Sequence, residues 1–392
     1  MMEHDTVKEN TTVIFAKQMF DGENWFSNQE VTFKGELIES IVSKAEPSTG
    51  KTDTVDLLAP GFIDVHVNGG GGALFNHTPT LAALERMVAV HAQFGTVAMM
   101  PTLISDDYEI MSQAHQTVCQ ALKQNMAGIL GLHYEGPYLN PIRKGVHNES
   151  KLRKPTEGTL STLLDVSRSG KLMVTLAPEQ VPEGFIEWLV SEGAIVCIGH
   201  SAASYDQARQ AVMNGARGFT HLFNAMTPLI SREPGVVGAA LQTDLPTWCG
   251  LIADGHHVHP AAMRVAIAAK GCEHMLLVTD AIQSVGSDEK EMPFLGKRVL
   301  RSEGKVTTED GTLAGSDLDM ATAVRNTISF IGRTPAEALQ MASLRPAEFL
   351  GIDHHFGRIK PGYRASLVAL TEDFIVKATW IDGQKVWGQG VV

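Results

Sequence analysis

The chain has 392 residues, 44% of them hydrophobic and 19% charged: the make-up of a globular protein with room for one large domain, or a large and a small one. Its formal net charge of −12 excludes general binding to nucleic acid or to an anionic membrane, so an anionic ligand needs a local basic pocket. Cys119, Cys197, Cys249 and Cys272 form no CxxC pair and read as thiols of a reducing compartment, MMEHDTVKEN is no basic-then-apolar leader, and no apolar run nears the roughly 20 residues of a membrane span; a cytoplasmic protein is expected.

Residues 12–58 carry β-type segments separated by turns: TVIFAKQMF, EVTFKGELIESIV and the start of TVDLLAP. Eight short apolar runs follow: GFIDVHV (61–67), GTVAMMPTL (95–103), GILGLHYE (128–135), LMVTLAPE (172–179), AIVCIGH (194–200), GFTHLFN (218–224), WCGLIAD (248–254) and HMLLVTD (274–280). Helix-like stretches separate most of them. TPTLAALERMVAVHAQF has a Thr cap and helical apolar spacing, and SYDQARQAVMNG ends at a Gly stop. Near-continuous apolar strands alternating with helices mean a parallel sheet buried on both faces. Eight such units predict an α/β chain with a (β/α)8 TIM-type barrel, the alternative being a doubly wound open sheet. The β-texture returns in RASLVALTED, IVKATWIDG and QKVWGQG, which predicts that both terminal arms pair into one small β-sandwich. The expected divisions are 1–60 for its first part, 61–356 for the barrel and 357–392 for its second part.

Such a barrel works at the C-terminal ends of its strands. Glu135, His200 and His221 close or interrupt three apolar runs, and Asp280 closes the last. A carboxylate and two imidazoles far apart in sequence converge only if their strands share one rim. Nitrogen and oxygen ligands of this kind suit Zn²⁺ or Fe²⁺. A further carboxylate there, Asp280, is placed to take a proton from water and return it to a leaving amine.

Other residues at that rim read in two ways. His66 and Asn68 point to one face of the first strand; His66 is either a ligand or a hydrogen-bonding pocket residue. Gly69–Gly72 lacks the GxGxxG pattern of a dinucleotide loop and reads as a close-approach loop. His133 is core or a support for Glu135. His147, beside Arg143 and Lys144, is a solvated loop residue or a contact to a substrate oxygen. The fourth run ends Ala177-Pro178-Glu179, with no Lys to bridge two metals. Backbone N–H groups at Asn224 and Ala225 can hold an anion, and Arg232 on the SREPG loop is a natural fork for phosphate. In ADGHHVH only one or two of Asp254, His256, His257 and His259 can face the site, and His257 is the choice. GTLAGS (311–316) is small enough to line a pocket.

Taken in order, PGFIDVHVNGGGG, HYEGPYLNPIRKGVHN, IGHS, THLFNAM, SREPG, ADGHHVH, VTDA and GTLAGS resemble the N-acetylglucosamine-6-phosphate deacetylases of the amidohydrolase superfamily. The resemblance covers nearly the whole chain. It implies metal ligands at Glu135, His200 and His221, and an acid/base at Asp280. It implies sugar-phosphate contacts at Val146, His147, Asn224, Ala225, Arg232, Asp254, His257, Leu313, Ala314 and Gly315. It also implies a homodimer in which Arg232 reaches the partner's site. Two features depart from it: the first strand has His66-x-Asn68 in place of HxH, and the loop after the last reads DAIQSVG.

The expected reaction is hydrolysis of the acetamide of N-acetyl-D-glucosamine 6-phosphate to glucosamine 6-phosphate and acetate. The galacto epimer is the alternative substrate. A cyclic amidase or deaminase on the same barrel, or an inactive sugar-phosphate sensor, are the more remote readings. One tightly bound divalent ion is expected, Zn²⁺ first, with Fe²⁺, Co²⁺ or Mn²⁺ as substitutes, and any second site weak and dependent on His66. The expected partners are a small sugar phosphate and a second copy of the chain, with no nucleic acid and no membrane.

Overall fold

The structure, a computed structural model, describes residues 11–48, 52–155 and 169–388; the N-terminal segment read above for a leader lies outside them. Eight parallel strands form one sheet in sequential order: Phe62–Val67, Thr96–Ile104, Gly131–Glu135, Lys171–Leu176, Ile195–Ile198, Gly218–Phe219, Trp248–Leu251 and Met275–Leu277. They are numbered one to eight below. The barrel closes at its C-terminal rim. There Val67 bridges Ala281 in parallel, and the Asp280 N–H donates to the His66 carbonyl at 3.0 Å.

The helices between the strands follow the sequence signals. Thr80 caps Leu81–Ala92 by accepting from the Ala83 N–H. Ser204 and Gln207 form a reciprocal capping box at the start of Tyr205–Met213, which satisfies two otherwise orphaned backbone donors. One cluster of buried side chains runs through the barrel and its helices.

Every strand except the second is shorter than its apolar run, and the shortening is informative. His200, His221, Phe223, Ala225 and Asp280 all have positive φ, between 36° and 78°. Side chains other than Gly rarely adopt this conformation, at a cost of roughly 1–3 kcal/mol each. The chain leaves the hydrogen-bonded ladder just where its metal-type side chains begin.

The two terminal arms share one seven-stranded mixed sheet. Its order is Gln384–Gly388, Val376–Ile381, Leu367–Leu370, Thr52–Pro60, Thr11–Phe20, Trp25–Lys34 and Leu37–Ser43. The sheet curls onto itself, because the Ile38 N–H donates to the Tyr363 carbonyl at 2.9 Å and the Ala365 N–H to the Glu36 carbonyl at 2.7 Å. The expected sandwich is thus one rolled sheet. Period-two alternation sorts its faces: Leu367 and Ala369 point into its own core around Phe33 and Trp380, while Val368 and Leu370 join the barrel's cluster.

A three-stranded antiparallel sheet, Glu291–Phe294, Lys297–Ser302 and Lys305–Thr308, follows strand eight. Its core holds Phe294, Val299 and Val306 with Leu74 and Ile282. Phe294 and the segment after this sheet line the cavity above the barrel.

Candidate active site

Strand three ends at Glu135, and its Oε1 lies 3.1 Å from both His200 Nε2 and His221 Nε2. The two Nε2 atoms are 3.0 Å apart. Three ligand atoms in so tight a triangle match the donor set of a divalent ion: bonds of about 2.1 Å in tetrahedral geometry place ligands about 3.4 Å apart. His200 Nδ1 donates to the Arg143 carbonyl at 2.8 Å, which leaves the Nε2 lone pair aimed at the cluster. All three side chains are buried, and a cation between them would satisfy a carboxylate and two imidazole lone pairs removed from water. The residues present therefore fit a metal ion.

His66 on strand one stands beside this triangle. Its Nε2 is 3.1 Å from Asp280 Oδ1 and 3.4 Å from Glu135 Oε2. Burial alone would lower its pKa, but Asp280 and Glu135 outweigh burial and push it up to about 9. Burial would raise Glu135, yet His66, His147, His200 and His221 hold it well below the usual carboxylate range. In the absence of an ion, His66 thus stands between the two carboxylates as their counterpart. The same three residues would form a second cluster for an ion.

Asn68 Nδ2 donates to Asp280 Oδ1 at 2.7 Å. The sequence shows Asn68 as a missing imidazole; in the fold it pins the carboxylate that faces the cavity. Asp64, also on strand one, was not singled out from the sequence. It accepts from Thr279 Oγ1 at 2.5 Å and from the His66 N–H at 3.1 Å, which ties strand eight to strand one beneath Asp280. Burial pushes its carboxyl up to about 6. Glu179 was noted only as a strand end. It accepts from Asn140 Nδ2 at 2.9 Å, the Ala202 N–H at 2.6 Å and Ser201 Oγ at 2.7 Å, so it clamps the loops that carry Glu135 and His200. An acid two or three residues past an apolar run was the available signal for it.

His133 is fully buried below the triangle, bonded to Thr102 Oγ1 at 3.0 Å and Thr175 Oγ1 at 2.7 Å. Burial holds it well below its ordinary range; it is a neutral support. His147 is only 3% exposed. Its Nδ1 meets Ser105 Oγ at 3.0 Å and its Nε2 lies 3.6 Å from Glu135 Oε2. Burial, then His200, pushes it down to about 4. In ADGHHVH, Asp254 accepts from His257 Nδ1 at 2.6 Å and from the His256 and His257 N–H groups. His259 caps the helix Pro260–Lys270, and His256 is exposed.

A cavity of 370 Å³ brings Glu135, His200, His221 and Asp280 together with Val146, His147, Asn224, Ala225, His257, Leu313 and Gly315. Three expected contacts are placed elsewhere. Ala314 is buried in the apolar cluster of the three-stranded sheet, because alternation turns it away from its neighbours. The Asp254 carboxylate is consumed by His257. Arg232 is exposed on its loop and does not line this cavity within its own chain. Asn68, Ile104 and Phe294 line it and were not expected as contacts.

The sequence profile of the amidohydrolase family matches residues 57–386. An N-acetylgalactosamine-6-phosphate deacetylase of Shewanella sp. (strain ANA-3) is 45% identical, over 85% of this chain and 84% of that one. One of the same name from Escherichia coli O157:H7 is 38% identical, over 95% and 99%. The crystal structure of N-acetylglucosamine-6-phosphate deacetylase from Pasteurella multocida superposes with a TM-score of 0.91 at 34% identity, over 96% of this chain and 99% of that one.

Proposed function

The chain belongs to the amidohydrolase family, and from that premise we propose that it hydrolyses the acetamide of an N-acetylhexosamine 6-phosphate to the amino-sugar phosphate and acetate. The observation that carries this reading is the meeting of Glu135, His200, His221 and Asp280 in one cavity, in a chain so similar to deacetylases of such sugars.

Glu135, His200 and His221 would hold one divalent ion, Zn²⁺ by preference, which supplies Lewis acidity and an acidified water when bound. Asp280 takes the proton of the attacking water and hands it to the departing nitrogen. Its Oδ1 is held by Asn68, which leaves Oδ2 for the transfer. His257, fixed through Nδ1 by Asp254, and His147 meet the amide oxygen as charge builds on it. The Asn224 and Ala225 backbone and the segment at Leu313 and Gly315, which line the cavity, hold the sugar phosphate, and binding energy there orients the reacting bond. Arg232, exposed and outside its own cavity, fits the reading in which it serves the site of a second copy, making the enzyme a homodimer. Four free thiols suit a cytoplasmic enzyme; no helix among the described residues is long and apolar enough to cross a membrane. The divisions 1–60, 61–356 and 357–392 are proposed as the domains, because the rolled sheet has its own core.

The motif set resembles glucosamine-type deacetylases, and the gluco epimer is the first proposed substrate. The galacto epimer is a second reading, favoured by the 45% and 38% identities to galactosamine-type relatives. Parallel assays of acetate and free amine from both 6-phosphates test the proposal: release from either supports deacetylation, their ratio of kcat/KM assigns the epimer, and no release from either rejects the function.

A further inference from the structure

The opposite face of the barrel carries a second cleft, of 880 Å³, far from the residues above. Its walls are the N-terminal ends of strands four to seven: Lys171 begins strand four, Ile195 strand five, Arg217 precedes strand six and Trp248 begins strand seven. A chain with a net charge of −12 here collects cations. Lys171 and Arg217 both line the cleft, and neither forms an ion pair among the described residues. Lys270 stands behind the wall, its ammonium bonded only to neutral groups: the Gln242 and Leu245 carbonyls and Thr247 Oγ1. The one acid lining the cleft, Asp244, is offset by Arg209 at 3.8 Å.

Two donors beneath this face lack acceptors. Arg217 Cζ sits over the Trp248 ring, 4.9 Å from its centroid, and the side chain gives one bond to the Glu348 carbonyl at 3.0 Å. Its Nε and the indole Nε1 of Trp248 are buried with no hydrogen-bond partner. Burial pushes both Arg217 and Lys270 below their ordinary ranges, and the nearby charges of Asp353 and Asp244 do not offset it. A half-buried guanidinium and an ammonium lining one cleft, with its single carboxylate engaged by Arg209, are complementary to an anion. The remaining wall is apolar: Val190, Val212, Leu350 and Met213, which is 66% exposed. The volume lies in the range of small-molecule sites, and apolar walls with a few converging polar groups are their usual make-up.

We propose that this cleft is a second small-molecule site, for a ligand with a phosphate or carboxylate head held by Lys171 and Arg217 and an apolar body against Val190, Val212 and Met213. The site is independent of the deacetylase reading, since none of its residues lines the catalytic cavity.

Phenyl phosphate, benzoate and uncharged benzamide are the probes. Crystals of the wild-type chain soaked in each locate the ligand, and calorimetry measures affinity. Both anions are expected in the cleft with the head group between Lys171 and Arg217, and benzamide is expected to be absent. Lys171→Gln and Arg217→Gln should each weaken the cleft's binding roughly tenfold or more, with kcat/KM for acetate release unchanged. Arg217→Gln also loses the bond to the Glu348 carbonyl, so Lys171→Gln decides if that variant fails to fold. Benzamide bound as tightly as benzoate, anions found only in the catalytic cavity, or affinity unchanged in Lys171→Gln would each overturn the assignment.

Discussion

The catalytic rim and the rolled terminal sheet obey opposite rules. In the sheet, Ile14, Val31, Phe33 and Trp380 fill an apolar core; its charges pair near the surface, as in Lys385–Asp53, and its buried carboxylate, Glu30, is paired with Lys44. At the rim, Glu135 and five imidazoles, of His66, His133, His147, His200 and His221, are buried together. Three of the rim's key residues, His200, His221 and Asp280, sit at positive φ. Local preference and global fold agree in the sheet and conflict at the rim. Conflict of that kind persists where function requires it. Substitutions at the rim should therefore alter chemistry and metal content, and substitutions in the sheet should alter stability alone.

The largest effect is expected at Glu135. Glu135→Gln removes the charge at the centre of the triangle and should lose both tight metal and turnover, a loss on the order of 10³-fold or more. Metal analysis after dialysis, alongside acetate release, checks it; a variant with metal intact would break the proposed ligand set. Asp280→Asn should keep its metal and lose 10²- to 10⁴-fold in kcat, roughly the worth of a general acid–base. Near-normal kcat would remove Asp280 from the proton transfers.

In the sheet, Trp380→Ala should cost roughly 3–5 kcal/mol of stability by leaving a cavity, seen as a lower Tm, while kcat of the folded fraction holds. A large fall in kcat at unchanged Tm would erase the contrast between the two regions. Arg232→Ala should impair the phosphorylated substrate about ten- to a hundredfold and the unphosphorylated sugar little. Equal losses would show that Arg232 reads something other than phosphate.

The smallest effect is a pH dependence in the Asp254–His257 pair. Burial would lower the His257 pKa, but the hydrogen bond and charge of Asp254 outweigh it and raise it. A raised imidazole stabilises the fold below its unfolded pKa, near 6.5, and that contribution is lost as pH rises through the folded value. The stability advantage of the wild type over Asp254→Asn should therefore shrink as pH climbs above about 6.5. An advantage that grows in that window would mean the pair is not charged as described.

The sequence disclosed the barrel because its strands are buried on both faces and read as unbroken apolar runs, each followed by a helix. It disclosed Glu135, His200, His221 and Asp280 because each ends or interrupts such a run. The strand ends were overestimated: THLFNAM looks continuous, yet His221 and its neighbours turn to positive φ, a tertiary constraint with no local signature. The three-stranded sheet at 291–308 was hidden because its strands are short and half exposed. Asn68 and Asp64 were misread or passed over for a different reason. Their partners, Asp280 and Thr279, lie 212 and 215 residues away, and a single chain read in order does not reveal who meets whom across a closing barrel. The small residues of 311–316 marked the segment as pocket lining, but which of them face the cavity, Leu313 and Gly315 and not Ala314, depends on how the segment packs on the three-stranded sheet.

The proposed chemistry requires one tightly bound ion at Glu135, His200 and His221, with any second ion, at His66, weak. The direct test is a titration: metal is stripped with a chelator, Zn²⁺ is returned in measured equivalents per chain, and acetate release from the 6-phosphates of N-acetylglucosamine and N-acetylgalactosamine is followed on the same sample. Activity that vanishes on stripping and returns in full at one equivalent, in the wild type, is the predicted result. Activity that survives stripping, or that rises only as a second equivalent binds, would contradict the account.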